Sequence, residues 1–283
     1  MNSESGMKDG FITVSPAVDP HYVEAGTGDL CLVLVPGWVM SVEVFEHQLA
    51  HYADSNAVRC IAFDPRSHGR SSKPEDGHTY WHHGQDIVAL IRELDLKNVV
   101  LAGWSFGTLA ILSYVNQFGS ETLSGLIMLD GPPKAMGTDN QTGWVIYRHD
   151  DSDGQQTFYT LKRPIDPNTM NGQFIDWLLT EPTEESKQWL LSTTCRTPNH
   201  HASLLNPTAN FLDFRADLVA LHDFLPLMYV VRAEQDAVVS GWTAINTPTA
   251  RVEAFGGHMM FWEQPERFNQ ILDDYLAKLQ KRS

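Results

Sequence analysis

Within this 283-residue chain, the segment Gly103-Trp104-Ser105-Phe106-Gly107 is the one best placed to carry a nucleophile. It follows an apolar run and opens a stretch of helical spacing, the strand–turn–helix setting that a G-x-S-x-G string requires. Small flanking residues permit a tight turn. That turn lifts the serine hydroxyl above the strand's carboxyl end, beside a helix N-terminus whose N–H groups can hold an oxyanion. A serine hydroxyl reacts only once a base takes its proton. His258, in Gly256-Gly257-His258-Met259-Met260, directly follows a late strand-like run and is the expected base. The imidazole in turn needs a carboxylate to set its tautomer. Asp236, in Glu234-Gln235-Asp236, is the expected acid, and it completes the chain order Ser…Asp…His. Asp130, at the end of another apolar run, is the alternative acid; otherwise it is a turn residue before Pro132-Pro133. Phe106 N–H supplies one oxyanion donor, and Trp38 N–H, in Pro36-Gly37-Trp38, is expected to supply the second. Trp104, Trp177 and Met259 are candidate pocket residues. Arg66 and His68 are expected to hold loop structure.

These groups need a scaffold that brings strand ends together. Apolar, β-branched runs at 30–35, 58–63, 98–102 and 126–129 are each stopped by Gly, Pro or Asp. Such continuous runs suit parallel strands covered on both faces. Stretches of helical spacing at 42–52, 85–94 and 106–118 lie between them, which implies βαβ units with right-handed crossovers. The rhythm stops after Pro133. Residues 134–205 hold Pro and Gly breakers, the acidic stretch Asp150, Asp151 and Asp153, and short aromatic pieces such as the one around Trp177. They read as an inserted, mostly helical subdomain. Strand-like runs return at 227–231 and 250–255, and a final helix is expected over 265–279. The predicted fold is therefore α/β, with a core of 1–133 and 206–283 and an inserted helical subdomain of 134–205, which becomes a cap under the resemblance given below.

Composition narrows the function. Twenty Lys and Arg against 35 Asp and Glu give 20 − 35 = −15, which argues against binding nucleic acid and against docking on anionic membranes. No apolar run approaches the ~18 residues of a membrane span. The first ten residues are polar, without a secretory pattern, so a cytoplasmic location is expected. Cys31, Cys60 and Cys195 are odd in number and widely spaced, so they do not read as a disulfide framework. The doublets His82-His83 and His200-His201 lack a Cys or H-E-x-x-H partner. Adjacent side chains are expected to diverge, so no metal site is expected. No cofactor is needed for this chemistry.

The chain resembles α/β-hydrolase-fold proteins of the serine esterase type. The resemblance is carried by PGW at 36–38, DPRSHGRSSKP at 64–74, GWSFG at 103–107, LDGPP at 129–133, AEQDAVV at 233–239 and GGHMMFWEQPERF at 256–268. It implies a mostly parallel eight-stranded sheet flanked by helices, a serine–histidine–acid triad and a cap that shapes the substrate pocket. The chain departs from the pattern at Pro36-Gly37, where His-Gly is usual, and at Ser67, where a glycine is usual. The implied function is hydrolysis of a small to medium carboxylic ester or lactone through an acyl-enzyme. The Gly-Trp-Ser and Pro-Gly-Trp segments are also similar to esterases acting on acyl carrier proteins. That version is weakened by an insertion (134–204) with six basic and nine acidic residues, a sum of −3. The alternative is a cofactor-free dioxygenase of a hydroxy-quinolone-type ring, which this chain resembles in Pro-Gly-Trp and in an acid at Asp130. Such enzymes use a His–Asp base and tend to place a histidine where this chain has Trp104.

Overall fold

The computed structural model describes residues 6–137, 144–145, 147–148, 175, 177–194 and 196–281. Eight strands form one sheet: β1 (Met7–Phe11), β2 (His21–Ala25), β3 (Leu30–Val35), β4 (Val58–Asp64), β5 (Val99–Trp104), β6 (Leu123–Leu129), β7 (Leu227–Val231) and β8 (Arg251–Ala254). Their spatial order is β1-β2-β4-β3-β5-β6-β7-β8. β2 pairs antiparallel with β1 and with β4, and every other pairing is parallel. This is the mostly parallel eight-stranded sheet that the resemblance implied. The six later strands match the apolar runs within a few residues. β1 and β2 carry no such run: as an antiparallel pair at the sheet's edge they are covered less completely, β1 having no fully buried residue and β2 two half-buried ones.

The helices are α1 (Glu46–Tyr52), α2 (Tyr80–Glu93), α3 (Gly107–Phe118), α4 (Glu184–Thr194), α5 (Asn199–Ala209), α6 (Arg215–Leu221), α7 (Asp236–Asn246) and α8 (Pro265–Gln280). The sheet divides the core in two. Val33, Leu101 and Tyr229 face a layer containing Ile87 of α2, Leu109 of α3, Leu218 of α6 and Trp242 of α7. Leu32, Val100 and Val230 face the other layer, with Leu49 of α1 and Leu272 of α8. Alternate residues of one strand therefore bury into opposite layers, as the pleat dictates. α2 starts five residues earlier than periodicity suggested. Its start is set by Thr79, whose side chain accepts from the His82 N–H as an N-cap.

Between β6 and β7 the described backbone is helical at Ile175, Trp177 and Leu178 and through α4 and α5. The boundary expected after residue 205 falls inside α5, whose Leu205 and Ala209 are both buried. The acidic stretch at 150–153, Lys162, Arg163 and Cys195 lie outside the described residues. Cys31 and Cys60 are buried free thiols. Among the described residues, no helix is long and apolar enough to cross a membrane.

Candidate active site

β5 ends at Trp104 and α3 begins at Gly107, so the chain must reverse within two residues. Ser105 takes the turn at φ 53°, in the left-handed region where a non-glycine residue is strained. The strain is held by backbone bonds on both sides. Ser105 N–H donates to Leu129 O at 2.8 Å, and Thr108 N–H donates to Ser105 O at 3.0 Å. Close packing explains the flanking glycines. A Cβ at Gly107 would stand 2.7 Å from Pro36 O, and one at Gly37 would stand 3.0 Å from Ser105 Cβ. The Pro36–Trp38 loop thus lies directly against the elbow.

His258 lies in the loop after β8. Its carbonyl accepts the Trp104 indole N–H at 2.9 Å, so the residue preceding Ser105 fastens the histidine loop. The His258 side chain is 4% exposed and its Nδ1 is hydrogen-bonded to Asp130 Oδ2. His258 Nε2 is buried and has no hydrogen-bond partner among the described residues. One ring nitrogen is therefore anchored and the other is left for a proton.

Asp130, rather than Asp236, is the carboxylate at His258. It follows β6 at φ 46°, with its N–H on Val230 O at 2.8 Å. Its Oδ1 accepts the Arg232 N–H at 3.1 Å, and its Oδ2 accepts the Arg232 guanidinium at 2.7 Å. Burial pushes the Asp130 carboxyl up, but His258 and Arg232 outweigh this and hold it below the usual carboxylate range. Asp236, the acid expected from the sequence, goes elsewhere. After β7 a short turn (Ala233–Gln235) carries the chain outward, and Asp236 opens α7 with an exposed carboxylate that accepts from Ser240 Oγ at 2.9 Å. An acid in the first turn of a helix is stabilised there without any histidine.

The remaining expected residues divide between the site and the core. Phe106 is buried, with its ring 5.6 Å from that of Tyr80. Among the described residues the Phe106 N–H has no backbone partner. Trp38 is also buried, and its indole donates to Ala202 O of α5 at 3.0 Å. Trp177 is half exposed; its ring lies 4.5 Å from that of His258 and under the Arg232 guanidinium at 5.5 Å. Trp104 and Met259 are not at an open surface: both are packed in the layer that α8 covers. Their apolar side chains point into the sheet because each sits where the backbone turns a polar neighbour, Ser105 or His258, toward the strand ends.

Arg66 and His68 hold the neighbouring loops. Arg66 grips Asp86 of α2 through its backbone N–H at 2.9 Å and its guanidinium at 2.6 Å, all buried. His68 Nδ1 lies 3.2 Å from Arg66 O, and its Nε2 accepts the Val39 N–H at 3.2 Å. Burial pushes the His68 pKa down to about 4, so the ring is neutral, as an acceptor must be. It fixes Val39 at φ 60°, the residue after Trp38. The His200-His201 doublet differs from expectation. His200 and His201 have ring centroids 4.1 Å apart, and His201 stacks on His78 at 3.9 Å. Adjacent side chains at a helix start do not have to diverge when a third ring draws one of them inward. Among the described residues, no group of three or more His, Cys, Asp or Glu is placed to hold a metal ion. Arg232 was the one site residue not singled out from sequence. Its signal was its place at the carboxyl end of β7, beside the strand that ends at Asp130.

The profile of the Alpha/beta hydrolase family matches residues 32–271. An AB hydrolase superfamily protein of Bacillus subtilis is 23% identical over 86% of this chain and 90% of its own. A bifunctional esterase/perhydrolase of Acinetobacter calcoaceticus is 27% identical over 45% of this chain and 46% of its own. A non-heme chloroperoxidase of Streptomyces lividans is 30% identical over a similar 45% and 46%. The chain spans about half the length, or less, of most curated relatives that it matches. Solved structures with the same fold include the following two. A bromoperoxidase from Bacillus anthracis superposes with TM-score 0.83 at 19% identity, covering 95% of this chain and all of that one. An esterase from Exiguobacterium antarcticum superposes with TM-score 0.81 at 23% identity and the same coverage.

Proposed function

We propose, since the chain belongs to the alpha/beta hydrolase family, that it is a serine hydrolase cleaving a small to medium carboxylic ester or lactone. The observation that carries the reading is the buried His258, held by Asp130 at one ring nitrogen and unpartnered at the other, with its loop tied to the strained elbow that presents Ser105. In this reading Ser105 Oγ attacks the ester carbonyl while His258 Nε2 takes its proton. Asp130 fixes the tautomer and stabilises the imidazolium. The Phe106 and Trp38 N–H groups hold the tetrahedral oxyanion. His258 then protonates the leaving alkoxide, and water activated by the same nitrogen releases the acid. Each step uses side chains and backbone groups of this chain alone, so the reaction as proposed needs no cofactor.

The test is turnover of p-nitrophenyl esters of graded chain length by the wild type and by Ser105→Ala. A fast burst of nitrophenol followed by slower turnover, both lost in the variant, supports an acyl-enzyme on Ser105.

A second reading is favoured by one observation, the pairing of His258 with an acid after β6. That placement is what the resemblance to cofactor-free dioxygenases implied, with the pair acting as base on a hydroxy-quinolone-type ring and O₂ as co-substrate. The same variant separates the two. A histidine-driven oxygenase keeps much of its oxygen uptake without the serine hydroxyl, whereas the esterase loses its turnover.

A further inference from the structure

We propose that Arg232 is a positioning residue of the hydrolytic site: it holds the Asp130 carboxylate in the orientation that serves His258 and ties Trp177 to that pair. The proposal rests on the reading of Ser105, His258 and Asp130 as a triad. Asp130 has two oxygens, and Arg232 engages both, with its backbone N–H on Oδ1 and its guanidinium on Oδ2. Oδ2 is also the atom that meets His258 Nδ1. A carboxylate gripped at two points cannot rotate about its terminal torsion, so the lone pair offered to the imidazole is fixed in direction. The Asp130 side chain is 3% exposed and the Arg232 side chain 22%, so the pair is little screened.

The rest of the guanidinium's surroundings fit this role. Its Nε donates to Glu234 at 2.5 Å, and its Cζ lies 5.5 Å from the centre of the Trp177 ring, which is itself 4.5 Å from the His258 ring. Glu234 is largely exposed, so that contact orients the fork more than it stabilises it. Trp177 comes from the segment between β6 and β7. Its contacts with both Arg232 and His258 make the triad geometry depend on where that segment sits. Among the described residues, the charged groups near His258 include Asp130 from the end of β6, Arg232 from the end of β7, Glu234 through Arg232, and Glu263, whose carboxylate lies beside the adjacent Gly257. The positive charge of Arg232 opposes a second positive charge on the imidazole.

The experiment compares p-nitrophenyl butyrate hydrolysis from pH 5 to 9 by the wild type, Arg232→Met and Arg232→Lys. Arg232→Met should lower kcat about tenfold with KM within about twofold, in line with losses at groups that orient a catalytic ligand. It should also move the acid limb of kcat/KM upward by roughly one pH unit, because a fixed positive charge beside the imidazole is gone. Arg232→Lys keeps the charge without the fork. It should leave the limb near its wild-type position and recover only part of kcat. An acid limb unmoved in a folded Arg232→Met enzyme would mean the residue is merely structural, and would overturn the proposal. If Arg232→Met does not fold, Arg232→Lys decides: a wild-type limb with reduced kcat supports the proposal, whereas full kcat overturns it. A wild type without ester turnover would remove the hydrolytic reading and this proposal with it. Turnover that Asp130→Asn abolishes, with an Arg232→Met profile superimposable on the wild type, would remove the proposal alone.

Discussion

Replacing Asp130 by Asn should nearly abolish turnover while the same change at Asp236 leaves it intact, and the structure gives the reason for both. Asp130 accepts from three donors: the Arg232 N–H, the Arg232 guanidinium and His258 Nδ1. An asparagine offers one acceptor oxygen and one NH₂. With its oxygen toward His258 and the guanidinium, its NH₂ faces the Arg232 N–H. Flipped, its NH₂ faces the imidazole and the guanidinium and forces the wrong tautomer. Neither orientation satisfies the site. Loss of a tautomer-setting acid lowers kcat by about 10³–10⁴-fold, or roughly 4–5.5 kcal/mol of transition-state stabilisation. Breaking a buried ion pair also costs about 3 kcal/mol of stability. Asp236 is exposed and bonded only to Ser240 among the described residues, so Asp236→Asn should change kcat less than about twofold and stability by about 0.5 kcal/mol. The assay is steady-state p-nitrophenyl ester hydrolysis, with circular dichroism melts to confirm folding. A folded Asp130→Asn variant within tenfold of wild type, or an Asp236→Asn variant as impaired as Asp130→Asn is expected to be, would refute the reasoning.

Two further predictions concern the frame of the site. Gly107→Ala places a methyl 2.7 Å from Pro36 O, so it should cost about 1–3 kcal/mol, lower the melting temperature by several degrees and reduce turnover by displacing the Pro36–Trp38 loop; a variant with wild-type melting and kcat would contradict that packing. Stability should also fall on mild acidification. His68 has its pKa pushed down to about 4 by burial, against ~6.5 for an unfolded histidine. The unfolded chain therefore binds the proton first. The contribution is complete above about pH 6.5 and is lost as pH falls to about 4, up to about 3 kcal/mol for this residue. His201, pushed down to about 4 by burial and by His78, adds in the same direction. A melting temperature unchanged between pH 7 and 4.5 would count against neutral, buried imidazoles at these positions.

Much of this architecture was legible because parallel strands buried on both faces leave continuous apolar runs. Runs ending in Pro36, Asp64, Gly103 and Asp130 marked the strand ends where functional groups collect. The Ser105 elbow and the His258 loop were legible for a local reason: each depends on glycines beside one residue. The choice of acid was not local. Both Asp130 and Asp236 lie between Ser105 and His258 in the chain and both follow strands, so order and periodicity treat them alike. What separates them is that the backbone leaves β6 directly into the site at Asp130. After β7, an extra turn exposes Asp236 instead. The place of Trp104 was not legible for a related reason. An indole beside a nucleophile looks like a pocket wall, but strand alternation sends it into the core, where its N–H meets the His258 carbonyl across 154 residues of chain. The antiparallel β1 and β2 escaped notice because an edge pair has too few apolar residues to form a run.

The central claim is that Ser105 is a nucleophile activated by His258 and Asp130. Intact mass after a short exposure to a fluorophosphonate probe tests it most directly, for the wild type, Ser105→Ala and Asp130→Asn. The account predicts one adduct on the wild type, none on Ser105→Ala and strongly slowed labelling of Asp130→Asn. A folded wild type that takes up no probe, or an adduct that persists in Ser105→Ala, would contradict it.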